Sequence, residues 1–274
     1  HSQHAKHPSS FALLPHQVPV RQHIDRVGSG GLGALVFGKA FTGKTVSILH
    51  AAKGWIDAKD GLSSKANAPT NCHLQERLLH TPYVVVLCSL QSLPKWMGVA
   101  SEVFEEDWHV EVWHGAQSEG ALGQGKRLLL VVCLEVLESY LDFLTHTSAQ
   151  ASPKNMVCGF VVDVRASLAP PSVFEHPATF APQSPPQPAS LHDKQRCKQF
   201  LLTVAQALSP LAVPRVLVSD PALLISLDRL AVLSVLVTGM PYSALRAYVK
   251  AKGAGAAHDG GSYTTLNQLL ITLT

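Results

Sequence analysis

The sequence predicts an α/β fold built on a central, mostly parallel sheet. Three observations carry that expectation: short runs rich in Val and Leu recur along the chain, helix-length segments separate them, and the runs are continuous rather than alternating. Strands buried on both faces need continuous apolar runs, as in parallel sheets, whereas a strand with one wet face alternates. Strand–helix alternation then implies right-handed crossovers that lay helices on the sheet.

In chain order, Gly-Ala-Leu-Val-Phe at 33–37 reads as the first strand and 44–52 as its crossover helix. The stretch 57–80 is polar, with Gly61, Ser63, Ser64 and Pro69, and is expected to form a surface insertion. Strand 83–88, helix 94–104, strand 128–133, helix 135–144 and strand 160–163 follow. Residues 170–188 hold seven prolines, which lack the N–H that a helix or central strand needs, so this is a loop or extended linker. Helix 191–208 and strand 216–219 complete the rhythm, and no internal repeat is visible. At 274 residues the chain is expected to form a single lobe over 1–274.

Composition narrows the function. Charged residues are 15% and hydrophobic ones 46%, which supplies a core and excludes a wholly disordered chain. A net charge of +3 argues for neither nucleic acid nor membrane. The longest apolar stretch, 222–237, contains Asp228 and Arg229 and falls short of the ~20 residues a membrane span needs. The opening lacks an initiating Met and a cationic-then-apolar pattern, so a fragment without a secretory signal is expected. Cys72, Cys88, Cys133, Cys158 and Cys197 form no C-x-x-C pair, so neither a zinc site nor a disulfide framework is signalled; three of them lie in or beside apolar runs, where buried, reduced thiols and a reducing compartment are expected.

The most specific signal is Gly38-Lys39-Ala40-Phe41-Thr42-Gly43-Lys44-Thr45, which fits G-x-x-x-x-G-K-[ST] between a strand and a helix. Backbone N–H groups of such a loop surround phosphate oxygens at the positive end of the following helix. Lys44 would reach the β and γ phosphates and the Thr45 hydroxyl would help hold Mg²⁺. A glycine-containing turn with no ligand is the alternative. Asp163, at the end of an apolar run, supplies a carboxylate for the metal; a strand-end Asp at a turn is the alternative there.

The ordered segments resemble the first RecA-like lobe of Swi/Snf-type helicase-like ATPases, superfamily-two DNA translocases, and most of all their recombination-repair branch. The likeness runs from about residue 13 to 274. Leu14-Pro15-His16-Gln17 is similar to the opening Gln motif, which implies that Gln17 contacts adenine. Residues 38–45 stand at motif I. Residues 84–96, ending Pro94-Lys95-Trp96, resemble motif Ia, and 109–115 resemble a strand ending His-Gly. Residues 130–137 resemble the next strand and helix start, 161–168 the Asp-Glu-x-His box, 215–219 with 227–230 the surroundings of motif III, and 263–274 the closing helix.

The resemblance implies a P-loop NTPase lobe that binds ATP and Mg²⁺ through Gln17, Gly38, Lys39, Ala40, Phe41, Thr42, Gly43, Lys44, Thr45 and Asp163, with Lys44 and Asp163 catalytic. It further implies double-stranded DNA or chromatin as partner, a second RecA-like lobe in the parent protein, and work in the nucleus in remodelling or repair. The departures sit at the chemistry. Phe41 replaces a glycine, Val164 and Ala166 replace the box Glu and His, Ser219-Asp220-Pro221-Ala222 replaces motif III, and Thr272-Leu273 replaces a basic pair. Losing a water-orienting or charge-stabilising group costs ~10²–10⁴ in rate, which sets a pseudo-ATPase scaffold beside the motor. An unrelated P-loop kinase would carry an Arg-rich lid, and the sequence has no such cluster.

Weaker signals have ordinary readings too. His1, His4 and His7 suit a solvated tail as well as a metal. Lys95 and Trp96 could touch a DNA backbone, or Trp96 could cover the core. Lys126 and Arg127 read as surface charges, and Lys250 and Lys252 fit a helix C-terminus as well as a phosphate contact.

Overall fold

In a parallel sheet, neighbouring residues of a strand face opposite ways, so each apolar run feeds two cores at once. The computed structural model of the protein describes residues 12–29, 33–37, 42–60, 73–104, 107–114, 127–146, 153–163, 204–205, 208, 211 and 213–219. Among these, six strands form one sheet in which every pair is parallel: β1 (Gly33–Phe37), β2 (Tyr83–Cys88), β3 (Trp108–Val112), β4 (Arg127–Cys133), β5 (Val157–Asp163) and β6 (Arg215–Ser219). The order across the sheet is β1-β6-β5-β2-β4-β3.

One face holds Val84, Val86 and Cys88 with Leu129, Val131, Val161, Val216 and Val218. Against it pack α1 (Val18–Ser29) through Ile24 and Val27, and α2 (Lys44–Asp60) through Ile48, Leu49 and Ile56. Trp96 of α4 (Leu93–Gly98) joins the same cluster. The other face holds Val85, Leu87, Leu130, Val132, Phe160 and Val162. There lie α3 (Leu74–Leu78) and α5 (Leu137–His146), with Tyr140 and Leu144 at the interface. All six residues of β2 are fully buried, and each such aliphatic side chain contributes about 1.5–3 kcal/mol of transfer free energy.

Several expectations are corrected. Helix α2 does not stop at Ala52 but continues to Asp60, because Ile56 extends its buried stripe by one turn and Lys59 donates to the Val157 carbonyl at 2.8 Å. The stretch expected to insert at 57–80 is therefore helical at its start, and at its end Leu74 and Leu78 of α3 are fully buried. Its middle, 61–72, lies outside the described residues. The 94–104 helix is composite: a 3₁₀ turn at Leu90–Ser92, α4, then a π-helical turn at Val99–Val103. Cys88, Cys133 and Cys158 are buried thiols, as expected.

Arg127 is more than a surface charge. At the start of β4 it forks onto Asp57 of α2, at 2.8 and 2.9 Å, and reaches Asp107 at 3.3 Å. Lys53 completes this latch on Asp107 at 2.6 Å. The proline stretch 170–188, the segments 222–237, 243–250 and 263–274, and His1, His4 and His7 lie outside the described residues; of helix 191–208 only 204, 205 and 208 are described. No helix among the described residues is long and apolar enough to cross a membrane.

Candidate functional site

Because all six strands run the same way, their carboxyl ends share one edge, where open α/β sheets bind ligands. On that edge Phe37 pairs with Ser219, and Val218 pairs with Asp163. Strands are spaced ~4.8 Å apart, so β1 and β5, which flank β6, lie roughly 10 Å from each other. The start of α2 and the end of β5 are thus neighbours across a single strand.

The turn into α2 has the backbone its sequence requires. Gly43 sits at φ +76°, a left-handed conformation that side chains resist. Its Cα faces the Gln17 carboxamide, whose Nε2 lies where a Cβ would stand. Gln17 is held in that place: its Oε1 accepts from the Leu14 backbone N–H at 3.0 Å, and its backbone N–H donates to the Leu14 carbonyl at 2.8 Å. The residues read as adenine contact and phosphate loop are therefore in direct contact. Lys44 and Thr45 follow as the first residues of α2, both buried. No acidic side chain occupies the first turn of α2, so the positive end of the helix is not neutralised from within.

Asp163 shares strand parity with Val161 and so faces α2 and α4. It is fully buried, and its Oδ2 accepts the indole N–H of Trp96 at 2.8 Å. Of the two readings of Lys95 and Trp96, the structure bears out the one in which Trp96 covers the core: the ring is fully buried, while the adjacent Lys95 is exposed. Sequence reading had no signal for the Trp96–Asp163 pair, because 67 residues separate the two and only the β5–β2 adjacency joins them.

Of the expected site residues, Gln17, Thr42, Gly43, Lys44, Thr45 and Asp163 are placed, all at this edge. Gly38, Lys39, Ala40 and Phe41 lie outside the described residues, as do 164–166 and Asp220. The placed residues fit a nucleotide. Lys44 supplies a cation for phosphate, and the Thr45 hydroxyl and Asp163 carboxylate are the hard oxygen donors Mg²⁺ takes. Among the described residues no three His, Cys, Asp or Glu side chains gather to hold a metal unaided. Mg²⁺ characteristically relies on one or two protein oxygens plus phosphates and water, and that is what Thr45 and Asp163 could offer.

Two titratable groups elsewhere in the lobe have shifted pKa values. His50 on α2 has its pKa lowered, first by desolvation and then by Arg21 and Lys53. On the opposite face of the lobe, Glu111 of β3 is held below the ordinary carboxylate range, chiefly by its hydrogen bond from His109 and further by Arg77.

A solved structure of the Sulfolobus solfataricus SWI2/SNF2 ATPase core domain superimposes on 96% of the chain with a TM-score of 0.50 and 16% identity. The fold is an α/β RecA-like one, shared with part of that core. The same organism's SWI2/SNF2 ATPase core in complex with dsDNA matches over 96% of the chain with a TM-score of 0.51 and 15% identity. The chain spans 42% and 44% of those two SWI2/SNF2 chains, less than half of each. No protein-family model and no curated protein sequence matches it.

Proposed function

We propose that the chain is the ATP-binding first lobe of a SWI2/SNF2-type DNA translocase. The observation that carries this reading is the contact between Gln17 and Gly43 at the start of α2, on the sheet edge that also bears Asp163. In this reading Gln17 reads adenine, residues 38–43 surround the phosphates, Lys44 draws the β and γ phosphates, and Thr45 with Asp163 holds Mg²⁺. When bound, the metal neutralises charge on the β and γ oxygens. Double-stranded DNA is the proposed partner, supported by the neighbour solved with dsDNA. Recombinational repair or chromatin remodelling in the nucleus, and a second RecA-like lobe in the parent protein, follow from the sequence resemblance.

A second reading has its own support. Val164 and Ala166 stand where the family resemblance places a Glu and a His, so no carboxylate follows Asp163 to orient an attacking water. The lobe would then be a pseudo-ATPase scaffold that binds nucleotide without turning it over. Duplex-DNA-stimulated ATP turnover by the full-length parent separates the two: stimulated turnover supports the motor, and nucleotide binding without turnover supports the scaffold.

A further inference from the structure

Trp96 and Asp163 are both fully buried and are joined by a hydrogen bond: an indole has one hydrogen to give, and the carboxylate accepts it at 2.8 Å. The donor stands on α4, which follows β2, and the acceptor ends β5, the strand beside it. One oxygen, Oδ2, is thereby fixed relative to a rigid ring packed among Ala100, Phe104 and the strand residues of the same face. Fixing one oxygen fixes the plane of the carboxylate and hence the direction in which Oδ1 points. Partners of this kind orient the ligands of metal sites, and their loss costs about 10–100-fold in metal affinity.

We propose that Trp96 is a positioning residue, which aims the Asp163 carboxylate at the Mg²⁺ of a bound nucleotide. The inference rests on the nucleotide reading given above. It makes the indole N–H, and not the bulk of the ring, the feature that the site needs.

The test is calorimetric titration of ADP into the chain with and without Mg²⁺, for the wild type, Trp96→Phe, Asp163→Asn and the double variant. Phe keeps an aromatic ring and removes the N–H. The expected result is unchanged metal-free affinity in Trp96→Phe and a half-saturating Mg²⁺ concentration raised about tenfold. In the Asp163→Asn background Trp96→Phe should add nothing further. An unchanged Mg²⁺ requirement, or an equal loss with and without the metal, overturns the inference while leaving the nucleotide site standing. A wild-type chain that takes no ADP removes the site reading itself. Should Trp96→Phe fail to fold, the wild-type indole N–H resonances serve instead, with Trp96 assigned by elimination through Phe variants of Trp55, Trp108 and Trp113. Its resonance should move when Mg²⁺ joins the ADP-loaded chain; a stationary resonance beside shifting backbone amides overturns the inference.

Discussion

The carboxamide of Gln17 occupies the space that a Cβ on residue 43 would fill. Glycine is therefore required there twice, for its φ of +76° and for the close approach of the side chain. Gly43→Ala should lower stability by about 1–2 kcal/mol from backbone strain alone, with a further loss from displacing Gln17. Urea unfolding measures this. Adding Gln17→Ala should recover the steric part but not the strain, so the two changes are non-additive. Nucleotide affinity should fall in both.

Gly159 of β5 poses a similar constraint without any link to the site. The Trp55 ring of α2 lies where its Cβ would be, which sets how closely that helix approaches the sheet. Gly159→Ala should cost about 1–3 kcal/mol by overpacking. Trp55→Leu in the same chain should restore part of it, again read from urea midpoints.

Acid sensitivity should come in two windows. Glu111 accepts from Arg77 at 3.0 Å and from His109 at 2.9 Å, and its pKa is depressed from 4.5. A depressed carboxylate contributes stability that is complete above 4.5 and is lost as pH falls through its lower folded-state value. His50 is also depressed, from 6.5, so stability begins to drop as pH falls below 6.5, where the unfolded chain protonates first. Glu111→Gln should flatten the lower window and leave the upper one, whereas His50→Gln should make the upper one shallower, His23, also lowered from 6.5, supplying the rest. Unfolding midpoints measured across the acid range separate them.

The strands were legible because burial on both faces leaves nothing but apolar residues, as in β2. Helix α1 escaped notice because its buried side chains, Ile24 and Val27 with the half-buried Val20, are sparse among polar neighbours. Helix α2 was truncated at Ala52 because Lys53, Asp57 and Lys59 read as surface, whereas two of them bond across the lobe and Asp57 takes the fork of Arg127. Within the site, Gly43, Lys44 and Thr45 were visible because phosphate loops fix residue types at fixed spacing. The Trp96–Asp163 bond was not, because strand order is decided by packing and does not follow chain order. A buried indole next to an exposed lysine looks the same in sequence as two exposed residues.

The claim on which all else depends is that the turn between β1 and α2 holds a nucleotide. Calorimetric titration of ATP with Mg²⁺ into the wild-type chain and into Lys44→Ala tests it most directly. Saturable binding by the wild type, abolished in Lys44→Ala with the fold intact by circular dichroism, is the predicted result. Equal binding by both chains, or none by the folded wild type, would contradict it.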